Sequence, residues 1–142
     1  MMNRREFAKQ SCILCFGAMI GGIALESCAV MPSIVIKEKQ TVIEVPKSTF
    51  ADSKILRVKT MFLDYDVLLV KESEEVYQAI YLRCSHQDQP LSVMSDGLTC
   101  NSHGSRFDFK GQVIKEPAIE PLTRFKTENS ANLIKIHIDE KI

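Results

Sequence analysis

The sequence predicts an all-β protein, an antiparallel sandwich or barrel, on three observations. From about Met31 onward no segment keeps a helical period in its apolar residues. Short runs rich in β-branched and aromatic residues recur instead, each closed by turn residues. At 142 residues, 45% hydrophobic and 25% charged, the chain suffices for one well-cored domain and is too short for two ordinary ones.

The expected strands follow in order. Thr41–Val45 alternates and stops at Pro46, and Ile55–Lys59, Tyr65–Lys71 and Val76–Arg83 form the apolar middle of the chain. Asp96-Gly97 turns into Leu98–Cys100, Gly104 precedes Arg106–Phe109, and Lys110-Gly111 leads to Gln112–Ile114. Pro117 and Pro121 punctuate the approach to Thr123–Thr127, and Asn129-Ser130 separates it from Asn132–Ile138. In that last run Ile134, Ile136 and Ile138 share one face, which puts His137 on the mostly polar face, pointing to solvent rather than to a metal.

The first residues have a different character. A basic patch (Arg4, Arg5, Lys9) precedes an uncharged run from Gln10 to Leu25, the order of an export signal, and the run is short of a bilayer span. Asn3-Arg4-Arg5-Glu6-Phe7-Ala8-Lys9 resembles the twin-arginine export motif. Leu25-Glu26-Ser27-Cys28 resembles a bacterial lipobox, with Glu26 departing from it, and makes Cys28 the candidate lipidation site. Cys12 and Cys15 read as small hydrophobes inside the signal rather than as a redox pair. The expected organisation is a signal peptide at 1–27, a tether at 28–40 and one domain at 41–142, in a protein exported across a bacterial inner membrane and held at a membrane by Cys28.

Charge excludes one class of partner. Eighteen Lys and Arg balance eighteen Asp and Glu, so the basic footprint of a nucleic-acid binder is missing. Without the first 27 residues, which hold three basic and two acidic side chains, 15 basic and 16 acidic remain, and no dominant field steers a partner.

The chemistry sits in a double motif. Cys84-Ser85-His86 is followed, after thirteen residues, by Cys100-Asn101-Ser102-His103, each half at the end of a strand-like segment. A soft thiolate and an imidazole on each of two neighbouring loops suit a metal centre. Tetrahedral zinc and a [2Fe–2S] cluster with two Cys on one iron and two His on the other both fit this donor set.

The residues around the motif carry a more specific likeness. Cys84-Ser85-His86, Cys100 through Asp108, Gly111-Gln112-Val113 and Pro117-Ala118-Ile119-Glu120-Pro121-Leu122 resemble the Rieske iron–sulfur family. The resemblance implies a Rieske-type antiparallel β-sandwich or barrel with a cluster-binding loop subdomain and one [2Fe–2S] cluster per chain. It implies Cys84 and Cys100 on the inner iron, and His86 and His103 on the outer iron near the surface. Neutral imidazoles in place of two thiolates raise the potential, and exposed imidazoles couple the electron to a proton, so the potential is expected to fall as pH rises. Ser105 matches the serine whose hydroxyl bonds a bridging sulfide in high-potential members. Phe107 stands where those members carry a tyrosine, so one of two donors to the cluster is kept and an intermediate potential is implied; Gln89 and Ser102 stand where respiratory members carry a disulfide and Glu116 replaces a glycine, which sets the chain apart from a standard respiratory subunit.

Such a domain has no substrate pocket of its own. The mononuclear iron of an oxygenase needs two further His, and only His137 remains. The sequence therefore predicts an electron-transfer component of an oxidoreductase system, exchanging single electrons with a redox partner protein such as a cytochrome, a quinol-linked complex or a molybdenum oxidase. The alternatives are the small subunit of a larger redox enzyme and a zinc-stabilised β interaction module.

Overall fold

Which face of each strand carries apolar side chains decides how the sheets close. The computed structural model describes residues 31–50 and 52–142. The residues read as export and lipidation signals, with Cys12, Cys15 and Cys28, lie outside the described residues. Within them the chain forms eleven strands, one 3-10 turn at Lys47–Phe50 and no α-helix. No helix among the described residues is long and apolar enough to cross a membrane.

In chain order the strands are β1 (Ser33–Ile36), β2 (Val42–Pro46), β3 (Ile55–Thr60), β4 (Val67–Lys71), β5 (Tyr77–Tyr81) and β6 (Leu91–Met94). They continue with β7 (Gly97–Cys100), β8 (Arg106–Phe107), β9 (Val113–Lys115), β10 (Arg124–Asn129) and β11 (Leu133–Lys141). Seven make one sheet in the order β1-β3-β4-β5-β10-β11-β2, and four make a smaller one in the order β6-β7-β8-β9. Every pairing is antiparallel except β1 with β3, which run parallel with Ser33 opposite Arg57.

All seven strands of the large sheet feed one core. Ile43 and Val45 of β2, Leu56 and Val58 of β3, Val67 and Leu69 of β4, Tyr77, Ala79 and Tyr81 of β5, Phe125 of β10, and Ile134 and Ile136 of β11 pack together, with Ile34 and Ile36 of β1 against them. A sheet whose two edge strands both reach one interior has to roll up, so this one is nearly a closed barrel. Aromatic edge-to-face contacts, Tyr81 with Phe125 at 5.5 Å and Phe50 with Tyr77 at 5.5 Å, fill its width.

The middle of the barrel wall is apolar on both sides. Val67, Leu68, Leu69 and Val70 are all buried, because the alternate residues Leu68 and Val70 join Ile80 and Leu82 in a second core. That core is closed by Leu91, Leu98, Phe107, Ala118 and Leu122 of the small subdomain. β5 and β10 are neighbours in the barrel, with Ile80 opposite Arg124, so residues 82–123 are an insertion between adjacent strands that folds back onto their outer face. The continuous apolar run of β4 is the signature of this double burial.

Two strands were not expected. Ser33–Ile36, in the stretch assigned to a tether, pairs with β3 along its whole length, and Leu91–Met94 pairs with Cys100 through Gly97. Each is four residues long, too short for a period to register, and each is made a strand by its partner. His137 is also not solvent-facing as expected: its side chain is only 16% exposed. Lys126 of β10 lies opposite it in the ladder, and Glu128 and Glu140 lie 3.4 and 3.7 Å from its two ring nitrogens, so long polar side chains cover the ring.

Candidate metal centre

The small subdomain brings the two halves of the double motif side by side. Leu91 donates its N–H to Leu82 O at 3.1 Å, with Arg83 bridged to Pro90, so residues 84–89 form a tight loop at the end of the extended β5 chain. β6 then pairs with β7, Leu91 opposite Cys100, and so places a second loop beside the first. Both loops close alike: Cys84 N–H reaches Gln89 O at 2.8 Å and Cys100 N–H reaches Ser105 O at 2.9 Å. Gly104 permits the second closure with φ of +80°.

The side chains sort by depth. Cys84 and Cys100 are each 1% exposed and unoxidised, and Cys84 is close enough to hydrogen-bond the Cys100 sulfur. His86 is half-buried and His103 exposed. Their rings lie edge to face with centroids 5.1 Å apart. Burial pushes the Cys100 thiol up, but the N–H groups of Ser102 and His103, with the side chains of Cys84 and Ser102, outweigh it and hold the thiol below its ordinary value. The Cys100 thiol therefore gives up its proton more readily than a free cysteine does. The Nδ1 of His86 is buried without any protein partner, an arrangement that costs free energy unless something else bonds it.

A third loop closes the floor. Ser105 is the one buried polar residue of the core, at 0% exposure, and its Oγ accepts the N–H of Ala118 at 3.0 Å. Its own hydroxyl hydrogen has no acceptor among the described protein groups. Ser85 Oγ donates to Glu120 O at 2.7 Å, and Ser102 Oγ approaches Gln89 Oε1 at 3.4 Å. The three loops are therefore joined pairwise by side-chain hydrogen bonds. Phe107 is 0% exposed beneath them.

Two kinds of metal centre can be told apart by the grouping. Zinc takes all its donors around one point, whereas a two-iron cluster takes one pair on each iron. A sulfur pair inside and a nitrogen pair outside suit two irons. The family profile of the Rieske [2Fe-2S] domain matches residues 40–126, more than half of the chain.

The chain belongs to the Rieske [2Fe–2S] domain family.

A Rieske domain binds a [2Fe–2S] cluster, and the residues present fit one: two buried free thiols, two facing imidazoles and an orphaned nitrogen on His86. Among solved structures the chain is similar to the cyanobacterial plasma membrane Rieske protein PetC3 from Synechocystis PCC 6803, with 23% identity and a TM-score of 0.55. The similarity covers 66% of this chain and 97% of that one, and it shows the fold. No curated protein sequence matches the chain.

The structure brings together Cys84, His86, Cys100, His103 and Ser105, and leaves His137 apart on β11, opposite Val42. Sequence reasoning placed Ser85 and Ala118 within the motif but gave them no role. Their hydrogen bonds span 35 and 13 residues, and no local pattern announces such contacts.

Proposed function

We propose that this Rieske domain is an exported, membrane-anchored carrier of single electrons, with Cys84 and Cys100 on the inner iron and His86 and His103 on the outer iron. The observation that carries the ligand assignment is the buried, unpartnered Nδ1 of His86, on a ring whose centroid lies 5.1 Å from that of His103. When bound, the cluster takes up and gives up one electron. The protein supplies the rest. Cys84 and Cys100 would hold the cluster from the buried floor through their sulfurs, the imidazoles of His86 and His103 in place of two further thiolates would limit its negative charge, and the Ser105 hydroxyl hydrogen, free of any protein acceptor, would be available to bond it. His103, the exposed member of the pair, offers the edge at which an electron passes to a partner.

Support for export and anchoring comes from the Arg4-Arg5 motif and from Leu25-Glu26-Ser27-Cys28. PetC3 is a plasma-membrane protein, which agrees with that placement. The partner on this reading is a cytochrome, a quinol-linked complex or a molybdenum oxidase. Single substitutions Cys84→Ser, His86→Ala, Cys100→Ser and His103→Ala test the ligands: each is expected to abolish the reduced-state EPR signal and its two irons per chain, whereas His137→Asn keeps both. A full signal in any of the four overturns that ligand. Cell fractionation tests the address, since Cys28→Ser should move the protein from membrane to soluble periplasm, and Arg4→Lys with Arg5→Lys should leave it unprocessed in the cytosol. Unchanged fractionation in both variants removes the export reading.

A further inference from the structure

The first ligand loop is held to the barrel at one residue that is neither ligand nor core. Asp88 lies between His86 and the loop's exit, and it is the one non-glycine among the described residues with positive φ, at 31°. That conformation is unfavourable for most side chains, and aspartate tolerates it better than most. Two side chains from outside the loop converge on it. Arg83 donates from Nε at 2.7 Å and from Nη2 at 2.5 Å to the same carboxylate oxygen, Oδ1. Tyr65, which precedes β4, donates its hydroxyl to the Asp88 backbone carbonyl across 23 residues. The Tyr65 ring stands edge to face on Tyr81 at 5.6 Å, so this donor is fixed to the barrel wall.

We propose that Asp88 is a positioning residue: the Arg83–Asp88–Tyr65 clasp sets the left-handed turn of the loop and thereby aims His86 at the cluster, in a chain where no disulfide can pin that loop. The positions of the missing disulfide, Gln89 and Ser102, are joined only by a long 3.4 Å contact, which is too weak to fix the loop alone. Side-chain exposure of 40% for Arg83 and 66% for Asp88 means the pair adds little to global stability. Its effect is local, because it acts on a six-residue turn whose other strong ties are Cys84 N–H to Gln89 O at the base and Ser85 Oγ to Glu120 O at its start, neither of which reaches Asp88. A charge-assisted bond to the side chain and a bond to the carbonyl of one residue together oppose its flip to negative φ, and His86 is two positions away.

The inference rests on His86 being a ligand only for its spectroscopic half, so the experiment has two readouts. Variants Arg83→Met and Tyr65→Phe each remove one donor and leave the loop sequence intact, and Arg83→Lys restores a donor. In the cluster-free protein, amide hydrogen exchange of Cys84, whose N–H closes the loop on Gln89 O, reads the clasp directly. It is expected to speed up by about fivefold or more in Arg83→Met and in Tyr65→Phe, with the amides of Leu69 and Ile134 unchanged, and to return toward the parent rate in Arg83→Lys. In the cluster-loaded protein the same variants are expected to broaden the reduced-state EPR lines and shift the potential. Parent-like exchange in both variants overturns the clasp. Faster exchange with an unaltered EPR signal and potential overturns the positioning role. A signal absent from the parent as well, with exchange behaving as expected, overturns the ligand assignment and leaves the clasp standing.

Discussion

Replacing Ser105 by alanine separates what this residue does for the fold from what it does for the cluster. Ser105 is 0% and Ala118 1% exposed, and the bond between them is 3.0 Å. The substitution removes an acceptor and leaves a buried N–H without a partner, which costs about 1–3 kcal/mol. The hydroxyl is a single heavy atom, so the cavity term is small and the orphaned N–H dominates. For a domain of this size a loss of about 2 kcal/mol lowers Tm by about 10 °C. Urea unfolding of the cluster-free protein measures it, with thermal bleaching of the visible spectrum as the check on the loaded form. The redox effect is separate. If the free hydroxyl hydrogen strengthens its bond to the sulfur side on reduction by about 1.4 kcal/mol, the variant's potential falls by about 59 mV for one electron. A destabilisation under about 0.5 kcal/mol refutes the claim that Ala118 depends on Ser105. An unchanged potential in an EPR-monitored titration refutes the hydroxyl's role at the cluster.

Three further outcomes are expected. Gly97 has φ of +147°, and a Cβ there would overlap the Phe107 carbonyl oxygen, so Gly97→Ala should force β7 from β8 and cost about 2–4 kcal/mol in chemical denaturation; a variant that unfolds at the same denaturant concentration as the parent contradicts that contact. Leu68 and Leu69 are adjacent and fully buried on opposite sides of the barrel wall. Leu68→Ala should cost about 2–5 kcal/mol and raise hydrogen exchange chiefly in residues 82–123, Leu69→Ala chiefly in the barrel strands, and identical exchange maps would argue against two cores. The Cys100 thiol is held low in the folded chain, so the unfolded state binds more protons between that value and the ordinary one of about 8.5. The resulting stability is full above about pH 8.5 and lost as pH falls through the folded value, so the advantage of the cluster-free parent over Cys100→Ser should grow as pH rises toward about 8.5 and level off beyond it in urea titrations; a flat difference rejects it.

The sequence by itself determined the chemistry and the type of fold. Cys84, His86, Cys100 and His103 are a pattern of residue types at short spacing, and such spacing is local, so it survives without knowledge of the fold. Strand periodicity is equally local: Ile134 and Ile136 alternate with Lys135 because one face of β11 meets the core, and both isoleucines are fully buried. Tertiary structure decided whatever depends on a distant partner. β1 is a strand because β3 offers it a parallel edge. His137 is covered because the side chains of Lys126, Glu128 and Glu140 lie over it. Val67 through Val70 are buried on both faces because the cluster subdomain, inserted between β5 and β10, folds back over the barrel. Asp88 takes its left-handed turn where Tyr65 and Arg83 hold it. A residue's neighbours in sequence fix its periodicity, whereas burial and hydrogen bonding are fixed by neighbours in space, and here those lie up to 35 residues away along the chain at the site.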